Sequence, residues 1–448
     1  MLPRPESRMN LARCRVVVAV AAAVALMSCE SESDLDSTSS SAIRRDSAGV
    51  SIVESLAPAW ARGLEWRLDS VPELVIGSTP DLGQDTGAGA TLDVDTLPLE
   101  RIQGLAVLSA GKIAVADGGS LRVMVFDSLG GLVTRFGGRG GGPGEFEEIF
   151  SVHVCAADSI VVVSSRHIRV FDDQGRFARQ AQYWAPFEGR SLAAVSSDCS
   201  RLLITTRGSE PPLNEAGPAE TLFTWSDPVT GSADTILRAD ISDIWIRQLY
   251  GAAGGFNVPW GTLPQTHAVR GDALVLGHGR LPELRTYEPA GQLSSVIRWS
   301  QQPAPVTDQD RELYSRVRLE WLAGMPEDPE TPYWFPALDE YPWLPAQKPL
   351  YDRVLVDDEG GVWVRDFPAG SLGQFDTRIP DRLRVRQTWT VFDSTGAWLG
   401  SLLLPDRFDL KAVASGRVLG VAYDSLDVQR VQSFRIIKRP GTQRPPAT

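Results

Sequence analysis

Lysine is nearly missing from this chain: Lys112, Lys348, Lys411 and Lys438 are the only four among 44 basic residues in 448. We read the skew towards arginine as the codon bias of a G+C-rich genome, not as a functional signal. Positive charge is also outweighed, with 56 acidic residues and a formal net charge of -12. A body this acidic lacks the field that attracts phosphate backbones, which excludes nucleic acid as a partner. Histidine and cysteine occur four times each. No G-x-S-x-G, H-E-x-x-H or C-x-x-C motif is present, so the common nucleophile-elbow, zinc-protease and dithiol signatures are absent. Nor is there an apolar run near the roughly 20 residues that a membrane-spanning helix needs. What remains is 43% hydrophobic and 22% charged, enough to bury a core, and on length alone two or three domains.

The longest apolar run is Val16 to Met27, VVVAVAAAVALM, preceded by Arg13 and Arg15 and followed by Ser28 and Cys29. Basic flank, short apolar core and small residue make residues 1–28 a signal peptide. The order Leu26, Met27, Ser28, Cys29 resembles the bacterial lipobox, in which the Cys is lipidated and becomes the mature first residue. This predicts an exported protein anchored through Cys29, in the periplasm or at the outer membrane. Removing a leader of charge +3 from a chain of -12 leaves -15. Residues 29–47, rich in Ser and acid, read as a flexible tether.

From there the chain repeats. FDSLG (Phe126 to Gly130), FDDQG (Phe171 to Gly175), YEPAG (Tyr287 to Gly291) and FDSTG (Phe392 to Gly396) are near-copies, with WSDPVTG from Trp225 a looser fifth. Each is a hairpin turn in which an aromatic ends one strand, an acid opens the turn and Gly takes positive φ. Upstream of the turns lie GKIAVAD, DSIVVVS, SRLLITT, GDALVLGH, GGVWVRD and SGRVLGVAY, each after a short apolar strand. Four strands per unit, six times over, predicts an all-β, six-bladed β-propeller across residues 48–439. The sixth unit lacks its outer strand, and GVSIVES (Gly49 to Ser55) has the period-2 pattern to supply it and close the ring. Residues 440–448 read as a disordered tail.

The blade pattern I-x-V-x-D followed by R-V-x-V-F-D-x-x-G, with GGRGGGPGEF (Gly137 to Phe146) after the first blade, resembles NHL-type six-bladed propellers, in particular the bacterial lipoproteins of that fold. The likeness covers roughly Asp46 to Arg439 and implies a fold and an extracytoplasmic address. That lipoprotein group carries no agreed activity to transfer.

In such a ring the A-B and C-D turns share one face and the B-C and D-A connections the other. All long inserts fall in the second class: Ser209 to Glu220, Asp240 to Trp260, Pro303 to Pro349 and Pro368 to Leu383. Loops grafted on one face of a rigid scaffold are where binding or catalysis resides. The longest contains a helical pattern, Thr307 to Met325, followed by Tyr333, Trp334, Phe335, Tyr341 and Trp343. With Trp245, Tyr250, Phe256 and Trp260 these aromatics form either a satellite core under the insert, the plainer reading, or a ligand platform.

Asp117, His278 and Asp366 share a repeat position at the ends of B strands on that face. They suit a cation or polar ligand, and lactonase-like propellers bind calcium with carboxylates on this kind of surface. The plainer reading makes Asp117 and Asp366 caps of their own turns. Aligning the blades on Ile113, Ile160, Leu202, Leu274 and Val362 puts His153 and His267 at one repeat position, seven residues before that alignment point, facing the central channel where they could bind a metal as His residues do in the NHL-type lyases this fold resembles; two His leave zinc short of ligands. No cofactor is fixed by these residues, and calcium or another divalent cation is the candidate they would suit. Cys155 and Cys199 fall in neighbouring A-B turns, where a disulfide is geometrically reasonable. GGRGGGPGEF lacks the Lys and the following helix of a P-loop and reads as a tight connection. The expected role is a ligand- or protein-binding or scaffold module; the alternative is a metal-dependent hydrolase or lyase.

Overall fold

The computed structural model describes residues 42–62, 64–77, 99–164, 167–182, 190–249, 252–262, 266–325, 335–368, 370–372 and 386–440. Cys29 and the leader lie outside them, as do Tyr250, Tyr333 and Trp334. The described chain is nearly all β and forms six sheets, an arrangement that agrees with a β-propeller.

The hairpins form for the reason their sequence gives. In FDSLG the Asp127 carboxylate accepts hydrogen bonds from the N-H groups of Leu129 (2.9 Å) and Gly131 (2.8 Å), and Gly130 takes φ 92°. Asp172 and Asp393 repeat the bonds, and Gly175, Gly291 and Gly396 repeat the positive φ. Register slips at Phe126, Phe171, Tyr287 and Phe392, so each aromatic opens a bulge that strengthens the strand twist.

The second and third strands of the first sheet, Ile113–Asp117 and Arg122–Phe126, are buried on both faces, so alternate residues serve different neighbours, whereas the outer strand Leu132–Gly137 exposes one face. In the first sheet Ala114 and Ala116 pack towards the second sheet, while Ile113 and Val115 pack towards the sixth. Six such wedges of buried side chains lie between consecutive sheets. The first strands of successive sheets touch, and Phe408–Ala414 of the sixth touches Ile102–Val107 of the first.

Three expectations need correction. The strand Val50–Ser55 does not complete the sixth sheet; it pairs in parallel with Leu293–Trp299 on the outer edge of the fourth, with Ala42–Ser47 folded back beside it. Ala42–Ser47 is therefore a strand rather than tether. The edge of Gln429–Pro440 is taken by Leu64–Leu68 and Leu74–Ile76 instead. Both segments carry the same period-2 pattern, which marks an edge strand without saying which edge it joins. Between them Trp60 lies against the outer strand of the fifth sheet, so close that a Cβ at Gly400 would stand 2.1 Å from its ring. Finally, part of the insert Asp240 to Trp260 is strand: Ala233–Leu249 and Ala252–Asn257 extend the third sheet, pairing Trp245 with Ala216 and Phe256.

The predicted helix is present as α1 (Asp308–Ala323), with Thr307 and Asp310 closing a reciprocal capping box. Its Tyr314 packs on Trp260 and Phe335, with Val317 and Leu372, in the satellite core expected of the insert. Trp343 stays outside it, 37% exposed.

Candidate functional site

Long connections leave from the starts of the first strands and the ends of the second strands. There the fifth and sixth sheets bring six charged side chains together. Tyr351–Val356 begins with Asp352 and Arg353, and Phe408–Ala414 supplies Asp409 and Lys411. Arg365 and Asp366 end Val362–Asp366. Arg365 grips the buried Asp352 with two parallel bonds of 2.7 and 2.8 Å. Asp409 receives Arg353 across the seam at 2.9 Å and Lys411 of its own strand at 2.7 Å. Burial works against the charge on Asp409, but Arg353, Lys411 and Arg365 outweigh it and hold the carboxyl well below the usual range.

Asp366 is the exception in this set. Among the described residues its carboxyl takes a hydrogen bond from the Thr390 hydroxyl at 2.7 Å, while the neighbouring Arg365 guanidinium is engaged with Asp352. Burial, and next the charge of Asp352, push its pKa up to about 6 against the opposing pull of Thr390. The cluster is neutral when Asp366 is ionised and carries one surplus positive charge when it is not. Chemically it is a half-buried, charge-balanced surface whose acid exchanges its proton near pH 6.

The other predicted residues are not gathered here. Asp117 is fully buried as a turn cap: its oxygens accept from the N-H groups of Arg101 (3.0 Å) and Gly119 (2.9 Å) and the Ser120 hydroxyl (2.8 Å). His278 sits near Asp243 and Arg280; burial lowers its pKa, and its Nδ1 is buried without a hydrogen-bond partner. Arg280 is a clasp between elements, bonded to Asp243 at 2.6 Å and lying 5.1 Å over the Trp343 ring. Asp117, His278 and Asp366 thus have separate partners and do not make a cation cage. Among the described residues no group of three or more His, Cys, Asp or Glu is placed to hold a metal ion.

His153 and His267 also part company. Counting seven residues back from the alignment point crosses the A-B turn, which has three residues between paired positions in the second sheet and two in the fourth. His153 therefore stands opposite Val161 and His267 opposite Leu276, one register step apart, and one step flips a side chain to the other face. Burial lowers His153 to a pKa of about 4, and its ring bonds Ser151 at 3.0 Å. His267 meets the edge of Phe223.

Cys155 and Cys199 are joined by a disulfide with Cα atoms 5.6 Å apart, on the face opposite the long connections. The Gly-rich run is a tight connection in which the Glu145 carboxylate takes the Gly142 N-H at 2.9 Å. The Asp352, Arg353, Asp409 and Lys411 set escaped the sequence reading. Its signal was the repeated aromatic-Asp start of two inner strands, YDRVLV and FDLKAV, where charge interrupts an apolar strand.

No family model matches the chain, and no curated protein does. Among solved structures it is similar to a member of the DUF4221 family from Bacteroides vulgatus, at 12% identity and TM-score 0.49, over 84% of this chain and 99% of that one. A gluconolactonase from Xanthomonas campestris is similar at 13% identity and TM-score 0.32, over 76% and 88% of the two chains. The calcium-binding protein regucalcin from Agrobacterium tumefaciens is similar at 12% and 0.34, over 78% and 94%.

Proposed function

We propose that this chain is an exported, lipid-anchored six-bladed β-propeller, closed where its N-terminal strands complete the last sheet, that binds a ligand or protein on its long-connection face. The observation that carries the reading is the concentration of the described long connections, helix α1 and the six-charge cluster on that one side, while the turns of the other side are short among the described residues. Charged groups already paired and held in place suit recognition of a polar partner, because little ordering is left to be done on binding.

A photoreactive amino acid at Trp343 tests the face. It should capture the physiological ligand in the native envelope, whereas the same group at Val229, in a turn of the opposite side, should not; equal capture overturns the reading. Labelled fatty acid should enter the wild-type chain and not a Cys29→Ala chain. Stoichiometric calcium or zinc, lost on Asp117→Ala or His267→Ala, would favour the metal-dependent hydrolase or lyase instead.

A further inference from the structure

Among the described residues one arginine and no lysine is buried: Arg169, at 3% exposure. The buried acids all have their partners. Asp243 holds Arg280 at 2.6 Å, Asp310 holds Lys348 at 2.6 Å, Asp352 holds Arg365 at 2.7 Å, and Asp117 caps its own turn. The buried cation has no such match. Its Nη1 donates to the Ser164 hydroxyl at 3.2 Å, a neutral acceptor whose own proton goes to the His167 carbonyl at 2.9 Å, and its Nε is buried without a hydrogen-bond partner. The exposed Glu147 attracts the guanidinium without reaching an ion pair, and burial, the larger effect, holds its pKa below that of an ordinary arginine.

Arg169 belongs to the third strand of the second sheet, His167–Phe171, and stands directly opposite Val162. Val162 and Phe171 face the wedge shared with the first sheet, so the guanidinium stands in that wedge, and its bond to Ser164, just past the second strand Ser159–Val163, puts it at the long-connection end. It lies 5.5 Å over the ring of Phe146, which ends the Gly-rich connection from the first sheet. A cation in an apolar wedge without a counter-ion is costly, and stacking on one ring offsets only part of the cost. The strand itself does not call for it. The same repeat position holds the buried Met124 in the first sheet and Thr390 in the fifth, while Arg285 in the fourth is paired with Glu283 at 2.6 Å.

We propose that Arg169 is an anion-recognition point, at which the carboxylate of a ligand pairs side-on with the Nε and Nη2 edge of the guanidinium. That is the edge through which Arg365 grips Asp352, and in Arg169 neither nitrogen makes a hydrogen bond among the described residues. The planar fork matches a carboxylate in shape, and its single charge matches a carboxylate in charge. Six glycines among the ten residues from Gly137 to Phe146 give the covering connection the latitude to admit it. The site is on the side already proposed for binding, but between the first and second sheets, and it holds or fails without the charged cluster of the fifth and sixth.

Thermal melts of the purified full chain in sodium acetate and in sodium chloride, at equal ionic strength and pH 7, test this. Acetate should raise the wild-type melting temperature above its value in chloride by about 2 °C, and should not do so for Arg169→Met. In chloride the Arg169→Met chain should melt at or above the wild type, since methionine already fills this repeat position in the first sheet. Glu147→Gln should keep both the wild-type melting temperature in chloride and the acetate increment. Equal acetate increments in the wild-type and Arg169→Met chains, or an Arg169→Met chain that melts several degrees lower or fails to fold, would overturn the proposal. A drop of several degrees on Glu147→Gln would make Glu147 the counter-ion and overturn it as well.

Discussion

Between the first and second sheets, thirteen buried apolar side chains of the described residues fill the wedge, with Phe146 and Phe171 among them. Between the second and third sheets only six do, and one of those is Cys199, bonded to Cys155. Where the apolar contact is thinnest, a covalent bond joins the two turns. A third device operates between the fifth and sixth sheets, where the Arg353 to Asp409 pair crosses a seam already rich in apolar contact. A repeated fold does not need repeated glue: each seam requires enough cohesion, and the means can differ.

The largest break should come from the disulfide. It closes a separation of 44 residues, which loop entropy values at about 4 kcal/mol. Cys155→Ala with Cys199→Ala should lower unfolding free energy in urea by that order. Reductant should do the same to the wild-type chain and nothing to the variant; equal sensitivity of both would show that the thin seam holds without it. Next, Asp409→Asn leaves Arg353 and Lys411 with a neutral partner in a half-buried seam and should cost about 3 kcal/mol, read from the same urea transitions.

Two adjacent valines offer the closest control, because Val161 faces the thin seam and Val162 the thick one. Val162→Ala should cost about 2 kcal/mol and Val161→Ala about 1, since the tightly filled wedge has less room to relax around a lost pair of methyls. Equal costs would break the comparison.

The smallest effect concerns Asp366. Its folded pKa of about 6 lies above its ordinary value of 3.8, so folding favours the protonated form. The raised pKa penalises the folded state fully above pH 6, and the penalty fades as pH falls towards 4. Asp366→Asn should therefore stabilise the chain at pH 7.5 by about 1 kcal/mol, discounted for partial exposure, and by nothing at pH 4. Thermal melts at the two pH values check it, and a gain that persists at pH 4 would refute the assignment.

Which parts of this could be read in advance follows from how local their causes are. The FDxxG hairpins were legible because an acid that caps its own turn and a Gly at positive φ act within five residues. Helix α1 was legible through Thr307 and its apolar spacing. The N-terminal strands were misplaced because Val50–Ser55 and Leu64–Leu68 present the same alternation, and only packing distinguishes the edges they join. His153 and His267 were paired by a count that crossed turns of unequal length, where a single residue reverses a face. The charged cluster was hidden for another reason: Asp352 and Asp409 are far apart in the chain, and only the seam between two sheets makes them neighbours.

The chain that enters at Ala42 has a mechanical consequence. It forms a hairpin on the fourth sheet, passes Trp60 over the fifth and only then reaches the sixth. A tug arriving from the N-terminal side meets the Ala42 to Ser55 end of that hairpin first and must open its pairs one at a time. Leu64–Leu68 and Leu74–Ile76, further along, bear load only after the hairpin has given way. The hairpin is a fuse: a jolt can spend itself there and leave the completing strands of the last sheet untouched.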